Sequence, residues 1–173
     1  GSLTLINSTL SGNAATNGGA IFNQSLSTVT VLNSTFSGNA ASNNGGAIYS
    51  VSTLILTNNT YAGNSAPNGS DIYSFSTMHL AGNIFAPGPG GANCFSGATL
   101  NDNGYNLSDD TTCTDGGTGS ATNATLNLGA LADNGGPTLT HLPADGSDAI
   151  GAIPNGTTIS NNGTSWACND SAP

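Results

Sequence analysis

The chain has 173 residues, no Lys or Arg, and nine acidic residues that are all Asp, for a formal net charge of −9. Lys and Arg together normally make up about a tenth of residues, so a chance absence over this length is on the order of one in 10⁸. A chain without cations cannot neutralise phosphates, which excludes nucleic acid and anionic lipid surfaces as partners.

Hydrophobic residues make up 36% of the sequence, beside 24 Asn and 25 Gly. That mixture suits tight turns and side-chain-to-backbone hydrogen bonds and suits long helices badly. An all-β chain is expected. No apolar run approaches the roughly 20 residues that cross a bilayer, so membrane insertion is not expected. The chain opens on Gly1 without a Met-initiated signal peptide, which reads as a processed, mature product.

Internal repetition dominates from the first residues. Leu3-Thr-Leu-Ile-Asn-Ser-Thr-Leu-Ser-Gly-Asn13 recurs as Val29-Thr-Val-Leu-Asn-Ser-Thr-Phe-Ser-Gly-Asn39 and as Leu54-Ile-Leu-Thr-Asn-Asn-Thr-Tyr-Ala-Gly-Asn64. A degenerate fourth copy starts at Met78-His-Leu80. A second motif, Gly18-Gly-Ala-Ile-Phe22, returns as Gly45-Gly-Ala-Ile-Tyr49 and more weakly as Ser70-Asp-Ile-Tyr73. Each copy alternates like a strand, with Leu3 and Leu5, Val29 and Val31, and Leu54 and Leu56 on one face. Short strands cannot cover that face alone, so the copies must stack about 4.8 Å apart. The expected fold is a right-handed parallel β-helix of about three to four coils over residues 1–92. Residues 93–173 are expected to form a loop-rich C-terminal extension that packs on the helix or on a neighbouring subunit.

The GGA[ILV] and FxxN pattern, with Gly19-Ala20-Ile21, Gly46-Ala47-Ile48 and Phe36-Ser37-Gly38-Asn39, resembles the repeats of chlamydial polymorphic outer-membrane proteins. Asn103-Gly-Tyr-Asn-Leu107 and Leu128-Gly-Ala-Leu-Ala-Asp-Asn-Gly-Gly-Pro-Thr-Leu-Thr-His141 resemble the C-terminal part of bacterial choice-of-anchor Q surface proteins. That resemblance implies export, a variable anchoring tail and no assigned activity. No sorting tail is expected before Pro173.

Asn7, Asn33 and Asn58 each open an N-x-[ST] sequon and share the parity of the buried aliphatics. They are expected to form a buried amide ladder, each bond contributing on the order of 1 kcal/mol. A second ladder is expected at Asn13, Asn39 and Asn64. The remaining sequons, at Asn23, Asn68, Asn106, Asn123, Asn155, Asn162 and Asn169, are glycosylation candidates in a host that N-glycosylates. Cys94 and Cys113 bracket a Gly/Asn/Asp-rich stretch and are expected to form a disulfide, leaving Cys168 over. Asp109, Asp110 and Asp115 offer oxygens to a hard cation such as Ca²⁺, but their spacing matches neither an EF-hand nor the nonapeptide calcium repeat. A solvated acidic loop is the expectation, with no cofactor. His79 and His141 lie too far apart, without a Glu, to read as a zinc site.

A β-helix alone leaves catalysis open. Pectate lyases and polygalacturonases of that shape work on anionic sugars with Arg or Lys, and neither is present. No nucleophile elbow or Ser-His-Asp pattern is recognisable, so no enzyme is expected. Ice binding needs regular outward Thr ranks, and Thr4, Thr30 and Ile55 do not form one. Gly1-Ser2 leads straight into the core strand, so Leu3 and Leu5 are expected to present an open assembly edge. The expected function is an extracellular structural protein, the subunit of a filament of β-helices stacked head to tail. The alternative is a monomeric β-helical module of a cell-surface adhesin. The expected partner is a second copy of the chain, with glycans as the other ligand class.

Overall fold

A computed structural model of the chain describes residues 1–24 and 27–168. The first coil comprises β1 (Leu3–Ile6), β2 (Thr9–Ser11), β3 (Ala14–Asn17) and β4 (Ile21–Asn23). The second comprises β5 (Val29–Leu32), β6 (Thr35–Ser37), β7 (Ala40–Asn44) and β8 (Ile48–Ser50). The third holds β9 (Leu54–Thr57), β10 (Thr60–Ala62) and β11 (Ile72–Ser74), and the fourth β12 (Met78–Ala81), β13 (Ile84–Ala86) and β14 (Cys94–Ser96). A partial fifth coil adds β15 (Leu100–Asp102) and β16 (Leu107–Ser108). Equivalent strands pair in parallel, in the orders β1-β5-β9-β12-β15, β2-β6-β10-β13-β16, β4-β8-β11-β14 and β3-β7. The chain is a parallel β-helix of about four turns.

The repeats predict the registers directly: Leu3 faces Val29, Val29 faces Leu54, and Leu54 faces Met78. The core is therefore a set of apolar columns. Val31, Leu56 and Leu80 form one, and Ile48 and Ile72 belong to another; all five are fully buried. Phe36, Tyr61 and Phe85 stack inside at 5.0 Å between successive ring centroids.

The boundary expected at 92/93 moves. The parallel sheets continue through β16, and Leu107 bridges to Ala121. The repeat consensus has faded there, leaving strands of three and two residues whose pattern is too short to read.

The last two hairpins fold back on the chain's own coils. In the first, β17 (Leu128–Ala132) pairs antiparallel with β18 (Thr140–Pro143). Leu139 O accepts from Thr9 Oγ1 at 2.7 Å, and His141 Nε2 meets Ser37 Oγ at 2.9 Å. In the second, β19 (Thr157–Asn161) pairs with β20 (Thr164–Cys168). The Asn161 amide donates to Leu56 O, Thr57 Oγ1 and His79 O, while its Oδ1 accepts from Asn103.

Candidate ligand-binding face and assembly edge

The amide ladders hold the coils in register, but not all stand where parity places them. Asn7, Asn33 and Asn58 have φ of 47°, 49° and 53°. They are left-handed corner residues, a role Asn tolerates better than other non-Gly residues. Asn7 and Asn33 are exposed and Asn58 is half-buried, so the expected buried ladder is corrected. Alternation holds only within a strand, and a left-handed residue turns the chain before the next inward position is reached. The buried position is the one after the corner, where Ser34, Asn59, Asn83 and Asn106 line up. Asn59 Oδ1 accepts from Ser34 N, while Asn59 and Asn83 each donate backbone and side-chain N–H to the Oδ1 of the next coil.

The second expected ladder is present. Asn13 donates to Asn39 Oδ1 at 2.9 Å and Asn39 to Asn64 Oδ1 at 3.0 Å. Asn64 then donates to Asp71 Oδ1 at 2.8 Å. Asp71 and Tyr61 are fully buried, and Asp71 Oδ2 and Tyr61 Oη have no hydrogen-bond partner among the described residues. Burial lifts the Asp71 carboxyl well above the usual carboxylate range; the Asn64 bond offsets part of this, and Asp109 and Asp110 add to it. Burial, with the Asp71 charge second, likewise raises the Tyr61 hydroxyl.

Two glycosylation candidates are corrected as well. The Asn23 side chain is buried, its Nδ2 donating to Ser27 O and Ser50 Oγ. Asn106 is fully buried, donating to Leu80 O and Asp102 Oδ1. Both amides are spent on the fold, so neither offers a nitrogen to a glycan in the folded chain. Asn68, Asn123, Asn155 and Asn162 are exposed, and Asn169 lies outside the described residues.

Cys94 and Cys113 form the disulfide, with Cα atoms 5.2 Å apart, and both sulfurs join the core. Cys168 is free. The stretch they close is the fifth coil rather than an excursion from the helix. Its acidic residues are hydrogen-bond acceptors. Burial raises the pKa of Asp102, but bonds from Ser120, Gly117 N, Asn106 and Asp115 N outweigh this and hold it low. Asp110 is held low in the same way by Asn93 N, Thr112 and Ser108. Among the described residues, no three His, Cys, Asp or Glu side chains gather as a metal-binding group.

The two ends of the helix differ. At the far end, Asn93 N donates to Asp110 Oδ2, Cys94 N to Thr112 Oγ1, and Ser108 N to Ala121 O, which closes β14 and β16. Asp102 succeeds Leu80 in its column and ends the apolar stack with a carboxylate. At the near end, β1, β2, β3 and β4 pair on one side only among the described residues. Leu3 is 42% exposed, whereas Val29, directly behind it, is 2% exposed. Leu5 is half-buried against the core.

The feature that motif reading passes over lies on the outside of the β4-β8-β11-β14 sheet. In each strand the first and third residues point inward, as in Ile48-Tyr49-Ser50 with its buried Ile and Ser. The middle residues therefore form an outward column of Phe22, Tyr49, Tyr73 and Phe95. Their rings stack at 5.2, 5.7 and 4.3 Å. Phe75 stands edge-on to Tyr49, Tyr73 and Phe95, at 80°, 78° and 77°. Five of the chain's ten aromatic residues are thus on one outer face. The signal was in the sequence, as an aromatic following the Ile of each copy of the second motif, at Phe22, Tyr49 and Tyr73.

Fold and surface together define an all-β solenoid with an aromatic flank. Comparison with protein-family models, curated proteins and solved structures finds no match for this chain.

Proposed function

We propose that this chain is an extracellular structural protein, the subunit of a filament in which β-helices join head to tail through the first coil. The observation that carries this reading is the unpaired edge of β1 among the described residues, where the core position Leu3 is 42% exposed while Val29 behind it is 2% exposed. Unpaired strand edges over exposed core residues recruit further strands. The sheet ending in β1 and β15 pairs on one side only at each of these strands, so β15 of one copy can take β1 of the next. Such a contact joins unlike ends and does not close, which builds a fibre. A disulfide and a surface without trypsin sites suit a protein working outside the cell.

The second reading, a single module of a cell-surface adhesin, is favoured by Asp102. An inward carboxylate at a sheet edge is a device against further pairing. Light scattering after size exclusion separates the two readings. The filament reading expects assemblies that Leu5→Asp disperses; a wild-type chain that stays monomeric contradicts it.

A further inference from the structure

We infer that the outward face of the β4-β8-β11-β14 sheet is a binding site for an uncharged polysaccharide, held between a ladder of rings and a ladder of amides. The amides are Asn17, Asn44 and Asn68, each five residues before a ladder ring. Asn44 Nδ2 donates to Asn17 Oδ1 at 3.1 Å, and Asn68 Nδ2 to Asn44 Oδ1 at 3.0 Å. Asn44 and Asn68 each spend one N–H on the preceding rung and have a second to offer. A groove lined by Ala15, Thr16, Asn17 and Phe22 lies between the two ladders at the first coil.

Ring geometry matches a sugar better than a flat apolar partner. Phe75 stands across three stacked rings, so its plane runs along the solenoid, and the residue is 52% exposed. A pyranose has an apolar C–H face and a rim of hydroxyls. The first stacks on an aromatic ring, and the second is met by amides and by the phenolic hydroxyls of Tyr49 and Tyr73.

Charge and size select the occupant. No Asp lies on this face of the first two coils, and the chain has no cation with which to pair an anionic ligand. At −9 overall, it repels acidic polymers. Four rungs about 4.8 Å apart and one ring wide cover on the order of 200 Å², well short of the roughly 800 Å² per partner of a stable protein interface. A linear ligand running along the rungs fits that strip, and the repeating rungs match a repeating polymer. The site lies on the flank and does not depend on end-on assembly.

Affinity electrophoresis of the full chain through gels containing laminarin, soluble mannan, hydroxyethyl cellulose or dextran tests the inference, with alginate as the anionic control. At least one uncharged polymer should retard the wild type, and alginate should not. Phe75→Ala should weaken retardation about tenfold, the loss of one ring contact. Asn44→Ala should weaken it independently, and thermal melts should confirm that both variants fold. Failure of all four uncharged polymers overturns the inference, as does unchanged retardation of both variants. Preferential binding of alginate, or a wild-type dimer that Phe75→Ala splits, would assign the face to another occupant.

Discussion

Asn64 donates a hydrogen bond to Asp71 at 2.8 Å, joining the last amide of a buried ladder to a carboxyl sealed inside the solenoid. Oδ1 of Asp71 has this partner and Oδ2 has none among the described residues, although the residue is only 1% exposed. A carboxyl in such a place is better neutral than charged.

The folded-state pKa of Asp71 is raised, so the folded chain holds this proton more tightly than the unfolded one. Its contribution is fully present below the unfolded pKa near 4 and is lost as pH rises through the folded value. Asp71→Asn keeps an acceptor for Asn64 and removes the charge. It should stabilise the protein at neutral pH by about 1–3 kcal/mol and flatten the fall in stability above pH about 4. Urea denaturation across pH measures both. A variant less stable than wild type at pH 7 would refute the assignment.

Asp102 works in the opposite direction. Its lowered pKa gives stability that is present above the unfolded value and lost as pH falls through the folded one. Asp102→Asn turns an acceptor of several N–H groups into a partial donor, so it should destabilise the closed end by about 1 kcal/mol, allowing for its half-exposed position. Hydrogen exchange at Gly104 and Gly117, whose amides it accepts, should rise first.

The corner residues predict a contrast. Gly82 takes the place of Asn58 one coil later, at φ 66°, and a Cβ there would lie 2.3 Å from Asn58 Oδ1 and 3.0 Å from Ile159. Gly82→Ala combines backbone strain with this clash and should cost about 1–3 kcal/mol. Asn33→Gly keeps the left-handed turn at an exposed corner and should change stability by under about 1 kcal/mol. Thermal melts of the two variants give the comparison.

Reducing the disulfide, or replacing Cys94 and Cys113 by Ser, should remove roughly 3 kcal/mol of loop-closure stabilisation. The loss should fall on the fifth coil, with faster exchange in β15 and β16, while β5 and β9 stay protected. Uniform loss of protection would contradict that localisation.

In an N-glycosylating host, site-resolved mass spectrometry of folded protein should find Asn23 and Asn106 bare. Any glycan should sit at exposed sequons such as Asn68 or Asn123. Occupancy at Asn106 would be incompatible with its ladder bonds.

The columns of the solenoid were legible because Leu3, Val29, Leu54 and Met78 repeat at nearly constant spacing, and pairing follows from spacing. The corners were not, because parity says nothing across a residue with positive φ. Alternation places Asn33 inward, while Ser34 and Asn59 carry the buried bonds. The second ladder, at Asn13, Asn39 and Asn64, was readable because those residues align without ambiguity. The fifth coil escaped because Leu100–Asp102 and Leu107–Ser108 are too short for periodicity, and closure there depends in part on Asn93, Asp115, Gly117 and Ser120, which lie far in sequence from the Asp110 and Asp102 carboxylates they bond. The aromatic face needed a comparison across coils of the residue after Ile48 and Ile72, which reading along the chain does not make.

The most direct test of end-on assembly is electron microscopy of the native protein at physiological pH. Fibres whose axial repeat equals a few coil heights, dispersed by Leu5→Asp, are the predicted result. Separate particles of 16.9 kDa at every concentration would contradict it and leave a single surface module.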